Sequence, residues 1–334
     1  MYKMIFKLTL IMGTLLAISA YSWMSMWMGL EINLLSIIPL MSSTKNSFAS
    51  ESAMKYFVIQ ALASTLILFS IIALSLNFMY MNLSSSTITM IMNTALLTKM
   101  GAAPFHFWFP EIMEGLNWTN TFIMLTWQKA APMILLMYTN THITFVSISI
   151  AISMIVSGVS GLNQTSLRKI LTYSSINHIG WMLAAILFMK SLWTYYFIIY
   201  SMMTLSIIFI LDAYNIYYLK QLFTSLNSRP VAKLFFNLNF MSLGGLPPFI
   251  GFLPKWLTIQ LLINNNYYTL TLVMIVLTLL TTYIYVRIAF SSVVLKMNQI
   301  SFLKKSINKT NIIMLINFLI VIGLIMSTLF FNFH

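Results

Sequence analysis

The chain has 334 residues, 60% of them apolar and only 7% charged, so it lacks the polar residues to cover the surface of a soluble fold, whereas lipid can serve as its solvent. Cysteine is absent, which excludes disulfides, thiolate metal sites and a cysteine nucleophile. The net charge of +13 would suit nucleic acid, but basic residues flanking apolar spans are what membrane topology requires, and no nucleic-acid partner is expected.

A spanning helix needs roughly 20 apolar residues. In chain order such segments lie at about 4–22, 24–42, 54–77, 87–103, 118–139, 144–162, 170–188, 192–216, 236–264, 268–290 and 311–331. This is an all-α polytopic membrane protein of about 11 transmembrane helices, a single membrane domain over 1–334 with no soluble domain. An apolar stretch at 104–112 continues the fourth segment past a Gly/Pro interruption, and the longest polar connections are 217–233 and 291–310.

Charge tests this traverse. With the N-terminus on side A, that side receives Lys3, Lys7, Lys45, Lys55, Arg168, Lys169, Lys220, Arg229, Lys233, Lys296, Lys304, Lys305 and Lys309, and side B only Lys190. One missed or invented helix would scramble the bias, which makes side A the cytoplasm, or the matrix in a mitochondrion, and puts the C-terminus on side B. Lys3 and Lys7 before a run ending near Ala17–Ala20 also have the form of a signal peptide, whose cleavage would leave the later orientation unchanged.

Lys99, Lys129, Lys255 and Arg287 remain. Arg287 lies near the side-A end of its helix and can snorkel. At about 1.5 Å per residue, the three lysines fall near the middle of a core about 30 Å thick. Each costs at least ~2.5 kcal/mol to insert, so three at one depth suggest a row across the protein interior. Glu31 is the one acid well inside a span and the natural counter-charge for a buried lysine. Such a pair can tune a lysine to gain and lose a proton; the alternative is a static ion pair locking two helices. His178 either relays protons or is hydrogen-bonded core. Asp212 and His142 read as interfacial, as does His334, and Glu51 as a loop charge. Glu111, Glu114 and His106 follow Pro104 and either line an aqueous opening or sit at the surface.

No nucleotide, metal or nucleophile motif is present. Gly-Gly-Leu-Pro-Pro (244–248) has no following Lys-Ser/Thr and no preceding strand, so it is not a phosphate loop. Five acids and no cysteine leave a metal cage without ligands. Two spans are interrupted by glycine and proline, at Gly101–Pro104 and Gly244–Pro248. Unpaired backbone at membrane depth is tolerated only where it is buried or lines a wet cavity. The interrupted spans are the fourth and ninth, the fourth place in each of two five-helix sets, about 1–143 and 144–290. Five is odd, so the sets face opposite ways, the inverted-repeat pattern of transporters; the alternative is two unrelated kinks.

Trp-Met-Gly-Leu-Glu-Ile-Asn (27–33), Lys-Met-Gly-Ala-Ala-Pro-Phe-His-Phe-Trp (99–108), Trp-Gln-Lys (127–129), Gly-Leu-Asn-Gln-Thr-Ser-Leu-Arg-Lys-Ile-Leu (161–171), Leu-Gly-Gly-Leu-Pro-Pro-Phe (243–249) and Gly-Phe-Leu-Pro-Lys-Trp (251–256) carry a resemblance. In order, over roughly 20–290, they resemble the NADH–ubiquinone oxidoreductase chain 2 family, the mitochondrially encoded antiporter-like membrane subunits of respiratory complex I. The methionine richness and short loops are similar to insect forms. The resemblance implies a relation to cation/proton antiporters of fourteen helices, three of which animal forms lack at the N-terminus. It implies roles for Glu31 paired with Lys99, Lys129 as the central relay and Lys255 on the exit side. It also implies the mitochondrial inner membrane, with the N-terminus in the matrix and the C-terminus in the intermembrane space. The expected partners are other membrane and accessory subunits of complex I and membrane lipids such as cardiolipin. No cofactor is expected on this chain; NADH, FMN, iron–sulfur clusters and ubiquinone belong to partner subunits.

The expected mechanism is proton passage from Lys99 toward Lys129 and Lys255, driven by charge changes around Glu31. A stand-alone antiporter would transport in isolation and would carry an aspartate-rich ion site, which is missing. An assembly scaffold would tolerate neutral replacement of all four buried charges together.

Overall fold

The computed structural model describes residues 2–43, 46–77, 85–139, 142–227 and 230–294. The expected span at 311–331, together with Lys45, Arg229, His334 and the lysines after residue 294, lies outside the described residues. The described helices are α1 (Tyr2–Ser19), α2 (Trp23–Met41), α3 (Ser47–Asn77), α4 (Ser85–Met100), α5 (Trp108–Gly115), α6 (Trp118–Leu125), α7 (Trp127–Tyr138), α8 (Ile143–Gly161), α9 (Leu167–Phe188), α10 (Lys190–Tyr214), α11 (Leu219–Leu226), α12 (Pro230–Gly244), α13 (Phe252–Asn264) and α14 (Tyr268–Val294). Six of these, α2, α3, α8, α9, α10 and α14, are long and apolar enough to cross a membrane.

The fourth and ninth expected spans break where glycine and proline interrupt them, giving α4/α5 and α12/α13. The fifth, read as one segment over 118–139, is instead two helices, α6 and α7. Thr126 leaves helical geometry there, with φ −116° and ψ −71°. Its hydroxyl donates back to the Phe122 carbonyl at 2.8 Å, the same carbonyl its N–H reaches at 3.1 Å. Neither glycine nor proline marks that spot, so composition gave no warning. The polar 217–233 connection also contains a helix, α11, whose Leu222 and Leu226 are buried and whose entering N–H groups, from Tyr217 and Tyr218, donate to Gln221 Oε1.

Contacts divide the chain into two units, Met1–Ser153 and Met154–His334. In the first, α1 and α2 form a hairpin drawn tight by small residues: a side chain at Gly29 would strike the Ala17 backbone. The Trp27 indole N–H reaches the Ser64 carbonyl at 3.1 Å and ties α2 to α3. Gly115 lets the end of α5 lie against the Phe48 carbonyl and Ser52 at the start of α3. The Lys55 ammonium bridges Glu51 at 3.0 Å and Glu111 at 3.1 Å on the same side. At the end of α2 the Leu40 carbonyl accepts from Asn120 Nδ2, near the start of α6, at 2.8 Å. An up-and-down traverse places these ends together.

In the second unit α9 is the core. It is buried on nearly all sides, its polar Ser174, Ser175, Asn177 and His178 included. Around it stand α10, α13 and α14. Asn177 Nδ2 donates to Thr281 Oγ1 on α14 at 3.0 Å, and Ser292 Oγ, near the end of α14, donates to Asn237 Oδ1 on α12 at 2.8 Å. Large apolar side chains face outward in both units, among them Met12, Phe57, Leu62, Leu272 and Leu279, as lipid contact requires.

The hairpin supplies a test. Gly29→Val must part α1 from α2, and overpacking of that kind costs about 1–3 kcal/mol. Gly158→Ala meets mainly the Leu280 side chain, which can shift. Membrane-fraction yield and native-gel migration should fall for Gly29→Val and hold for Gly158→Ala; equal behaviour would deny the close approach.

Candidate functional site

The site begins with helix ends. At the end of α4, Gly101 takes the left-handed conformation (φ 73°), its N–H bonds the Thr98 carbonyl at 3.1 Å, and Ala102 N–H bonds the Leu97 carbonyl at 3.1 Å. At the end of α12, Gly245 does the same (φ 76°), its N–H on the Ser242 carbonyl at 2.9 Å and Leu246 N–H on the Met241 carbonyl at 3.3 Å. Each is a Schellman cap, which needs glycine because a Cβ is strained at positive φ. Each is followed, at the third residue after the glycine, by a cis proline, Pro104 or Pro248. The next helix opens at the seventh, Trp108 or Phe252. The two breaks share one backbone plan although their side chains differ.

Every buried lysine sits at an interruption. Lys99 is in the last turn of α4, Lys129 in the first turn of α7 after the Thr126 break, and Lys255 in the first turn of α13. Their relative exposures are 6%, 1% and 6%, so none reaches the lipid face.

Lys255 Nζ donates to the carbonyl of Gly244, the last residue of α12, at 2.7 Å. A carbonyl at a helix C-terminus is both unsatisfied and at the negative end of the helix dipole, so it attracts an ammonium. This gives a lysine a partner at depth without an acid. The arrangement depends on Gly245: a Cβ there would lie 2.7 Å from Lys255 Cδ and 2.9 Å from Nζ.

In the first unit Lys99 also lies at a helix C-terminus, and a cavity of about 10 Å³, room for one water, opens beside it. Asn33, Tyr56, Gln60, Gln128 and Pro132 line it with Lys99. Gln128 Nε2 donates to Asn33 Oδ1 at 2.8 Å, Tyr56 O–H to Gln128 Oε1 at 3.4 Å, and Gln60 Nε2 to the Lys99 carbonyl at 3.4 Å. Pro132 has no N–H, so the Gln128 carbonyl lacks its helical partner and remains an acceptor. Sequence reasoning missed these carboxamides and Tyr56, because uncharged polar groups do not raise the insertion cost that singled out the lysines. The signal that could have found them is an Asn or Gln inside an otherwise apolar span.

Glu31 is half-buried on α2. It acts on Lys99 through space, and no ion pair joins the two. Lys129 stands over the Phe109 ring, 5.1 Å from its centroid, a cation–π contact inside the protein. Phe109 in turn fills the space beside Gly101, where a Cβ would meet its ring at 3.3 Å. Glycine in the first break thus seats the ring that faces Lys129, as glycine in the second seats Lys255.

His178 is buried at 1% exposure on α9, its Nδ1 2.9 Å from the Tyr196 hydroxyl of α10 and its ring 4.9 Å from that of Tyr200. Two tyrosines of α10, Tyr196 and Tyr200, thus face the imidazole. Both alternatives for His178 remain compatible with this cluster. Glu111 is exposed and paired with Lys55, which places it at the surface.

The sequence pattern described as NADH:quinone oxidoreductase/Mrp antiporter, TM, matches residues 20–281. NADH-ubiquinone oxidoreductase chain 2 of Anopheles gambiae is 46% identical over 98% of this chain and 97% of its own length. That of Locusta migratoria is 44% identical over 90% and 88%. Among solved structures, a chain of respiratory complex I from Thermus thermophilus with bound aureothin superposes with a TM-score of 0.87 at 23% identity, covering 98% of this chain and 78% of that one. A chain of the Mrp complex from Dietzia gives a TM-score of 0.79 at 14% identity, covering 97% and 75%. These two likenesses establish the fold.

Lys255 offers a direct test of the break. Lys255→Met leaves the buried Gly244 carbonyl without its ammonium, at a cost of about 1–3 kcal/mol. Gly245→Ala should act alike by displacing the lysine. Both should lower the thermal unfolding midpoint in detergent; unchanged midpoints in both would show that the bond does not hold the break.

Proposed function

Because the chain belongs to the NADH–ubiquinone oxidoreductase chain 2 family, we propose that it works as the antiporter-like, proton-translocating membrane subunit of respiratory complex I. It takes part in NADH:ubiquinone reduction as a subunit and carries no redox chemistry itself. NADH, FMN, iron–sulfur clusters and ubiquinone are bound by partner subunits. Its place is the mitochondrial inner membrane, crossed about 11 times as two inverted five-helix sets and a C-terminal helix. The thirteen-to-one charge bias puts the N-terminus in the matrix and the C-terminus in the intermembrane space. Its neighbours are other membrane and accessory subunits of the complex, and lipids including cardiolipin.

The observation that carries the mechanism is that three enclosed lysines each occupy a helix interruption. Lys255 has a backbone carbonyl as partner and Lys129 an aromatic face, while Lys99 is joined to Glu31 by no ion pair. The charge at Lys99 is therefore open to control from a distance. In an effective dielectric of ~20, a charge about 10 Å away is worth about 1.7 kcal/mol, more than a tenfold shift in proton occupancy. Electron transfer elsewhere in the complex changes the field around Glu31. That change alters the proton held by Lys99, which hands it through water toward Lys129, and Lys129 passes it on toward Lys255 for release. The carboxamides of Asn33, Gln60 and Gln128 orient the water beside Lys99. His178 joins the relay through its hydroxyl partners.

Lys129→Met tests this in native membranes, with assembly checked on a native gel. NADH oxidation coupled to proton-gradient formation should drop roughly tenfold or more in assembled complex, as for loss of a positioned proton-transfer group. A full rate with full pumping would sink the proton path and leave the family assignment standing.

A further inference from the structure

A cavity in the second unit is not used by this mechanism. It has a volume of about 400 Å³ and lies where the end of α8, the loop before α9, α11 and the last turns of α14 meet. Its walls are divided. Arg287, Asn163, Gln164 and Ser291 bring polar groups to it, while Phe223 and Ile288 supply apolar surface. No acidic residue lines it.

The cavity's frame is fixed by backbone. Leu167 N–H bonds the Tyr217 carbonyl at 2.9 Å and Leu219 N–H bonds the Thr165 carbonyl at 3.1 Å, stitching the loop before α9 to the start of α11. The Arg168 guanidinium lies 4.7 Å from the centre of the Tyr217 ring and reinforces the same seam. Arg287, by contrast, has neither a hydrogen bond nor an ion pair with any described residue. A guanidinium presents five donors in a planar fork suited to phosphate oxygens.

Charge points the same way. Asp212 is the only acid between residues 154 and 334, whereas Arg168, Lys169, Lys220 and Arg287 lie on or near this face. Residues 295–334 add four lysines and no acidic side chain to the sequence. The face therefore calls for an anion from outside the chain. A divided wall, polar at one part and apolar at another, matches a molecule with both a charged head and a hydrocarbon tail. Basic clusters at a membrane surface attract anionic lipid by about 1 kcal/mol per Lys or Arg.

We propose that this cavity binds the phosphodiester headgroup of an anionic phospholipid, with Arg287 as the phosphate ligand and Phe223 and Ile288 against the acyl chain. Asn163, Gln164 and Ser291 supply further hydrogen bonds. The bound lipid fastens α11 to α14. This rests on the reading of the chain as a membrane-spanning subunit and adds a ligand to it.

The test uses the intact, delipidated complex in phosphatidylcholine nanodiscs containing a minor fraction of photoactivatable phosphatidylglycerol. Peptide mapping should find label on α11 and α14, at or near Phe223 and Ile288. Arg287→Gln should lower that labelling about tenfold, the loss of one charge-assisted contact. Arg287→Lys should retain much of it and so controls for folding. Unlabelled phosphatidylglycerol should compete, and inorganic phosphate should not. Equal labelling in Arg287→Gln, equal labelling by a phosphatidylcholine probe, or label elsewhere only would overturn the proposal. Competition by inorganic phosphate would make the site one for a free anion and overturn the lipid. A complex that still pumps but leaves this cavity unlabelled removes the lipid site alone, whereas absence of lipid label from every span would undo the membrane reading.

Discussion

A helix that stops inside a membrane exposes backbone carbonyls and N–H groups that hydrocarbon cannot satisfy. The rest of this molecule answers that constraint. Schellman turns at Gly101 and Gly245 satisfy part of the freed backbone, and the Lys255 ammonium takes the carbonyl of Gly244. An ammonium that would be expensive in lipid becomes a cap when it faces a helix C-terminus. The break and the buried charge stabilise one another, which is why they occur together.

The same logic separates the three lysines. Lys99 and Lys255 meet negative helix ends. Lys129 stands at the beginning of α7, where the dipole offers a cation nothing, and it meets the π face of Phe109 instead. Three enclosed amines in three different electrostatic settings can hold protons with different tenacity, and a directional relay requires such a difference. Around Lys99 the setting is polar, with a cavity of about 10 Å³ and three carboxamides. Around His178 it is a pair of tyrosines. No ion pair joins Lys99 to Glu31, so the charge at Lys99 stays responsive to distant fields.

Much of this was legible in the sequence. Apolar run length located the spans, because hydrocarbon thickness fixes how many residues a crossing takes. Glycine with proline marked two breaks, because those residues alter backbone geometry wherever they stand. The cost of a charge in lipid singled out Lys99, Lys129, Lys255 and Glu31. What stayed hidden depends on neighbours distant in sequence. The break at Thr126 carries neither glycine nor proline, and the bond from its hydroxyl to Phe122 is of a kind that Thr14, Thr204 and Ser206 also make inside unbroken helices. The Asn33–Gln128–Tyr56 network needs three helices to meet, and the Lys255–Gly244 bond needs the chain to fold back across the proline turn. The common backbone plan of the two breaks was invisible for the opposite reason: it is written in dihedral angles, while the side chains around it differ.

The Gly244 carbonyl has one more use. Its stretching frequency depends on what donates to it, and an ammonium lowers that frequency more than a neutral amine does. A single carbon-13 and oxygen-18 label at that peptide would separate its infrared band from the rest of the helical amides. The fold thus contains a spectroscopic gauge of Lys255, readable during turnover without adding any probe to the chain.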